Sequence, residues 1–132
     1  MVRAVLYIED DDAAFVLVRI VLDERAPHIQ LFRAHDGEEA LLLLHGSAPG
    51  QQGLKPDLIL LDLNLPKKNG IAVLSDLKAS ETLRAIPVVM FSTSSAARDK
   101  SDALNGGAQD YITKPSSLDQ FIEAVKMACS VE

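Results

Sequence analysis

Five short apolar runs, at residues 4–8, 29–32, 58–61, 88–91 and 111–112, alternate along this chain with segments of helical periodicity at about 12–25, 37–46, 70–80, 96–105 and 117–130. A brief apolar run bounded by turn residues reads as a buried strand, and apolar residues recurring every three to four positions read as a helix packed on one side. Five such pairs in succession imply βα units, hence a mostly parallel sheet with helices on both faces: a doubly wound α/β fold. Local signals agree with these boundaries. Asp36 followed by Glu39, and Ser116 followed by Asp119, make capping-box-like helix starts. Asn69-Gly70 marks a turn before the third helix, and Gly106-Gly107 can end the fourth. The Gly- and Pro-rich stretch GSAPGQQGLKP at 46–56 reads as a surface loop. At 132 residues a single domain over 1–132, with no output domain, is expected.

Where those strands end matters more for function. Asp10 follows VLYIE, Asp62 follows LILL, Ser92 follows VVMF and Lys114 follows DYIT. Ligands of open α/β sheets bind outside the carboxyl ends of the strands, so two carboxylates, a hydroxyl and an ammonium are expected in one crevice. Asp62 is the most informative of them, because an aspartate ending so apolar a strand is costly unless it reaches the surface or is paired. The run Glu9-Asp10-Asp11-Asp12 also suits a solvated loop with Asp11 or Asp12 as a helix cap. FSTSSA equally suits a capping loop, and Lys114 a solvent-exposed lysine. Asp10 beside Asp62 creates a like-charge conflict that a magnesium ion relieves, since magnesium takes oxygen ligands, keeps waters and uses one or two carboxylates plus a phosphate. Manganese is the alternative. Lysine and serine can both hold a phosphoryl oxygen. Pro115 biases Lys114 toward extended geometry and permits a cis peptide.

Other chemistries find less support. His28, His35 and His45 fall in separate elements and no Cys/His cluster suits zinc. The single Cys129 reads as a small apolar filler near the end of the last helix. The net charge of −6, with 13 scattered Lys and Arg, lacks the basic footprint of direct nucleic-acid binding. No apolar stretch reaches the ~18 residues of a membrane span, and the N-terminus does not read as a signal peptide, so a cytoplasmic location is expected. In the last helix Leu118, Phe121, Ile122, Val125 and Cys129 form a stripe expected to face the sheet. The first helix, with Phe15, Val16, Leu17, Val18, Ile20, Val21 and Leu22, has apolar surface enough for both the sheet and a partner.

Together YIEDD, LLDLNLPKKNG, VVMFSTS and GGAQDYITKP resemble the receiver domain of two-component response regulators, over essentially the whole chain. The spacings from Asp62 to Ser92 and Ser92 to Lys114 match the family, whereas Asp10 to Asp62 is longer, the excess lying in the 46–56 loop as in the phytochrome-associated, single-domain type. The resemblance implies a flavodoxin-like (βα)5 receiver fold with strand order 2-1-3-4-5. It implies that Asp62 is the phosphoacceptor, taking a phosphoryl group from a sensor histidine kinase or histidine phosphotransfer protein. Asp10, Asp62 and the backbone carbonyl of Asn64 would hold Mg2+, with Glu9 acting through a water. Lys114 would bind the phosphoryl oxygen, Ser92 would move toward it, and Tyr111 would turn inward as the switch aromatic. Asn64 and Ser94 would tune dephosphorylation, and Thr93 would restrict small donors by its bulk.

Output would then be protein contact with a downstream target, with homodimerisation through the fourth-helix face as a further contact. Kinase docking would use the first helix and the Pro115 loop, so that Val18→Asp and Leu22→Asp would impair transfer. Such a protein is a phosphoacceptor rather than an enzyme. The alternatives are a magnesium-dependent phosphatase on a related fold, disfavoured by the lack of a cap insertion and by Asn64 where an acid is needed, and a non-phosphorylated scaffold.

Overall fold

The structure is a computed structural model and describes residues 1–46 and 48–131. Ser47, within the expected loop, and Glu132 lie outside the described residues. The elements run β1 (Ala4–Ile8), α1 (Asp12–Arg25), β2 (Gln30–Ala34), α2 (Gly37–His45), β3 (Leu58–Leu61), α3 (Gly70–Ala79), β4 (Val88–Ser92), α4 (Ala97–Asn105), β5 (Asp110–Thr113) and α5 (Leu118–Ala128). The strands pair in parallel in the order β2-β1-β3-β4-β5. This is the strand order that the resemblance implied, with β3 third of five, where helices can cover it on both sides.

Side-chain alternation along the strands divides the core in two. Val5, Tyr7, Leu58, Leu60, Val89 and Phe91 face α1 and α5. Leu6, Ile8, Ile59, Leu61, Val88 and Met90 face α2, α3 and α4. Because both faces are covered, β3 reads as LILL without alternation, and each of its side chains is buried. Full burial contributes ~1.5–3 kcal/mol per large apolar side chain, which holds the central strand and the residue after it in place. The fourth helix is more weakly anchored, with Ala103 its one buried residue among those described.

Caps account for most helix starts. Asp36 accepts from Glu39 N at 2.8 Å and Asn69 from Ala72 N at 2.9 Å. The Glu39 carboxylate turns to the main chain and ring of His35, so only half of a capping box forms. At α5 the cap is Ser117 rather than Ser116, its hydroxyl accepting from Gln120 N at 3.2 Å, because the helix begins one residue later than the spacing suggested. That start also corrects the α5 stripe: Leu118 occupies the first helical turn and is 63% exposed, while Phe121, Val125 and Cys129 are buried. The thiol of Cys129, as expected of a filler, is pushed up to about 12 by burial.

The starts of β1 and β3 are fastened together by Asp57, whose carboxylate accepts from Arg3 N and Ala4 N at 2.9 Å each. These bonds hold its pKa below the ordinary aspartate value. A depressed folded-state pKa adds stability above the unfolded value and loses it as pH falls toward the folded one. Asp57→Asn is therefore expected to unfold at lower urea than wild type near neutrality, with the gap closing below about pH 4. A gap independent of pH would show that the charge of Asp57 contributes nothing.

Candidate functional site

Parallel register brings the four strand ends to one edge of the sheet. Ile8 pairs with Leu61 and Leu61 with Met90, while Ser92 pairs with Thr113, so Glu9, Asp62, Ser92 and Lys114 come together. Glu9 and Asp62 are buried and Ser92 is fully so, whereas Asp10 and Asn64 are exposed at the rim. Lys114 is not the solvent-exposed lysine that its sequence also allowed. Its side chain is 9% exposed, its Nζ is ion-paired to Glu9 Oε1 and lies 3.8 Å from Asp62 Oδ1. It passes over the rings of Phe91 at 5.7 Å and Tyr7 at 6.0 Å, which orient its stem. The main chain assists, since Lys114 N donates to Ser92 O at 2.7 Å. No cis peptide occurs among the described residues, so Lys114-Pro115 reaches the site in trans geometry.

Electrostatically the pocket is a carboxylate pair neutralised in part by one ammonium. The pKa of Asp62 is raised, first by burial and then by the Glu9 carboxylate beside it, against the opposing pull of Lys114. Such crowding of oxygen donors suits a hard cation. Among the described residues no three His, Cys, Asp or Glu side chains form a complete cage. Asp10 adds a carboxylate at the exposed rim, and oxygen donors of this kind suit an ion that keeps waters in the rest of its shell. Asp11 caps α1 by accepting from Ala13 N at 3.2 Å, and Asp12 pairs with Arg33 at 2.7 Å, so the acidic run divides between helix start and site.

On the other side of Asp62 the β4–α4 loop is tied down by Ser94. Its hydroxyl donates to Asp99 Oδ2 at 2.5 Å and accepts from Ala96 N at 3.3 Å, while its N–H donates to Ser92 Oγ at 3.3 Å. Tyr111 is buried, its hydroxyl donating to Ser94 O at 2.8 Å, so its ring already lies inward. Thr93 is exposed beside a groove of about 320 Å³ between α1 and α5, which Leu17, Pro115 and Leu118 also line.

The exposed apolar surface of α1 consists of Val16, Leu17 and Ile20. Val18 and Leu22 are core residues, which corrects the choice of docking substitutions: an aspartate at either position would unfold the helix from the sheet rather than probe a surface.

Two site residues escaped the reading of the sequence. Tyr7 donates its hydroxyl to Glu9 Oε1 at 3.1 Å, and burial together with that carboxylate raises its pKa well above the ordinary tyrosine value. Arg33 donates to the carbonyls of Glu9 and Asp10 at 3.2 Å each and lies 4.9 Å from the Phe15 ring centroid, fixing the acidic loop to β2. Tyr7 stands two positions before Glu9 on one strand face, a signal present in the sequence. The link to Arg33 depends on β1–β2 register.

A doubly wound sheet with an acidic crevice, a strand-end serine and a buried lysine defines a receiver domain. The chain belongs to the response regulator receiver domain family, whose model matches residues 5–126. Members of this family are signalling modules that work with histidine kinases and downstream targets. Among relatives, the polar-differentiation response regulator DivK of Brucella ovis is 34% identical over 126 residues, covering 96% of this chain and 95% of DivK. The phosphorylated cyanobacterial phytochrome response regulator RcpA superposes with a TM-score of 0.87 at 35% identity, covering 96% of this chain and 91% of RcpA. The Mn2+-bound form of the response regulator Rcp1 gives 0.85 at 34% identity, covering 95% and 90%. No helix among the described residues is long and apolar enough to cross a membrane.

Proposed function

We propose that this protein is a phosphorylation-activated response regulator in which Asp62 accepts a phosphoryl group from the phosphohistidine of a sensor kinase or histidine phosphotransfer protein. The observation that carries this reading is Lys114 held between the buried carboxylates of Glu9 and Asp62. An Asp62 oxygen forms the bond to phosphorus as the donor's phosphorus–nitrogen bond breaks, and the electron pair of that bond returns to the imidazole. Lys114 lies close enough to turn to the phosphoryl oxygens, and the Ser92 hydroxyl supplies a donor from the adjacent strand. Asp10, Asp62 and the Asn64 carbonyl would hold Mg2+, with Glu9 acting through a water, and the ion would supply charge neutralisation; Mn2+, which Rcp1 binds, would be the alternative. Phosphoryl transfer needs little else from the protein than such positioning and electrostatics. The test is the intact mass of wild type and Asp62→Asn, with a small phosphodonor, in the presence and absence of magnesium.

Signalling then follows from a population shift in the β4–α4 loop and the weakly anchored α4, coupled through Ser92 and Tyr111. The α4–β5–α5 face, with Leu104 and Met127 exposed, is the surface offered to a downstream target and to a second copy of the chain. A kinase of the phytochrome type is the first donor to try, given the likeness to RcpA. Docking beside α1 predicts that Leu17→Asp slows kinase-dependent transfer by about tenfold or more, the effect of unpairing a buried anchor, and leaves acetyl phosphate labelling intact. Equal slowing with both donors would remove α1 from the docking surface.

Asn64 and Ser94 flank the route of the hydrolytic water. A hydrogen bond contributes about 1 kcal/mol, roughly a fivefold change in rate, so Asn64→Ala or Ser94→Ala is expected to alter the phosphate half-life by that order. An unchanged half-life in both variants would exclude this tuning role. The engagement of Ser94 with Asp99 makes Asp99→Asn a useful companion, because it weakens the hold on the same hydroxyl.

A further inference from the structure

Tyr7 is a fully buried phenol on β1, its ring set between Phe15 at 6.2 Å and Phe91 at 6.3 Å. Two residues on, along the same strand face, Glu9 is 1% exposed. Glu9 Oε1 receives both the Tyr7 hydroxyl and Lys114 Nζ, while Oε2 receives Asp11 N at 3.4 Å. Among the described residues the Tyr7 hydroxyl hydrogen bonds to Glu9 alone. Lys114, 3.8 Å from Asp62, is thus held by a carboxylate that it must release if it is to turn to a phosphoryl group on Asp62. Its departure takes the ammonium away from Glu9 Oε1, and a buried carboxylate oxygen deprived of a direct donor is costly. Of the two donors that stay behind, Tyr7 is the closer.

We propose that Tyr7 is a positioning residue for phosphoryl transfer, its hydroxyl keeping the Glu9 carboxylate hydrogen-bonded while Lys114 moves from Glu9 to the phosphoryl oxygens. This rests on the reading of Asp62 as the phosphoacceptor. With phenylalanine at position 7 the ring packing persists, but Glu9 depends more heavily on Lys114 and competes with the phosphoryl group for it. The penalty is larger in the phosphorylated state and its transition state than in the resting fold, where Lys114 still serves Glu9, and it acts through the charge of Glu9. Removing that charge removes the reason for the hydroxyl.

The experiment compares wild type, Tyr7→Phe, Glu9→Gln and the double variant. It reads the rate of phosphate gain by intact mass at saturating acetyl phosphate with magnesium, the rise in unfolding midpoint on adding beryllofluoride as a phosphoryl analogue, and the midpoint with neither. Tyr7→Phe is expected to slow phosphate gain by about tenfold, the order for a hydrogen bond to a charged group, and to reduce the beryllofluoride-induced rise. In the Glu9→Gln background the same substitution is expected to have no further effect, as coupled residues show in a double-mutant cycle. A Tyr7→Phe rate equal to wild type, or the same loss in the presence and absence of the Glu9 charge, overturns the proposal. A lowered midpoint without either probe, accompanied by an unchanged beryllofluoride-induced rise, also overturns it by making Tyr7 merely structural. If wild type takes phosphate only from a kinase, the same rates are compared with that donor; wild type gaining phosphate from neither donor overturns the Asp62 reading and this proposal with it, an outcome separate from a labelled wild type that Tyr7→Phe equals.

Discussion

Asp62→Asn is expected to abolish phosphate incorporation completely, leaving one mass species under conditions where wild type gains one phosphoryl group. The amide is nearly isosteric with the carboxylate, so the packing at the end of β3 survives, but it lacks the anionic oxygen that attacks phosphorus. A folding control comes from electrostatics. Burial and the neighbouring Glu9 disfavour charge on Asp62 more than Lys114 favours it, so the neutral variant is expected to unfold at a higher midpoint than wild type in metal-free buffer at neutral pH. Loss of labelling in a stabilised protein separates a missing nucleophile from a damaged fold. Lys114→Ala provides the complement, keeping the nucleophile and removing the cation; it is expected to slow labelling by roughly a hundredfold, the order found when one preorganised charge-stabilising group is lost. Incorporation that persists in Asp62→Asn would move the phosphoacceptor elsewhere. Wild type that takes phosphate from neither acetyl phosphate nor a kinase would favour the scaffold reading, and kinase transfer alone would implicate the bulk of Thr93.

The second large effect is expected from Gly70→Ala. The first residue of α3 lies against the backbone that carries Asp62, donating its N–H to Leu63 O at 2.7 Å. A Cβ there would overlap the carbonyl oxygen of Asp62 and come within 2.8 Å of Leu63 Cα and 3.0 Å of Asp62 C. Main-chain atoms cannot rotate away as a side chain can, so α3 or the β3–α3 loop must shift. Overpacking of this kind costs about 1–3 kcal/mol, measurable as a lower urea midpoint. Displacement of the loop also moves Asp62 and the Asn64 carbonyl relative to Lys114, and misplacement by about 1 Å can cost a hundredfold in rate. The expected result is a folded but less stable protein that labels far more slowly than wild type. A variant with the wild-type midpoint and rate would mean that the loop absorbs the methyl group without cost, and that the close approach is not needed to set the site.

Much of this architecture was legible in the residues because both the fold and the pocket depend on local patterns with short-range causes. Apolar runs such as LILL and VVMF mark strands buried on both faces. The ends of those runs mark the functional edge, so Asp62, Ser92 and Lys114 could be singled out before any contact was known. Asn69 and Asp36 announced helix starts because a side-chain oxygen three residues before a free N–H is a local arrangement. Ser117 and Leu118 show the limit: moving the helix start by one residue turned an expected core position out to solvent. The buried face of α1 was equally beyond periodicity. With apolar residues nearly all round, the helix could be rotated to bury different sets, and packing against β1 and α5 chose Val18 and Leu22 while leaving Val16, Leu17 and Ile20 outside.

The sequence by itself determined the order of strands and helices, the identities of the groups at the sheet's edge and the excess of negative charge among them, since each follows from side-chain chemistry and spacing of a few residues. Only the tertiary structure decided that Lys114 pairs with Glu9 at a sequence separation of 105, that Tyr7 completes the hydrogen bonding of that carboxylate, and that Arg33 clamps the acidic loop. Those partners are selected by strand register, by the twist of the sheet and by the low dielectric of the core, which makes an unpaired Glu9 too costly to leave. Such causes act between distant parts of the chain and have no period along it.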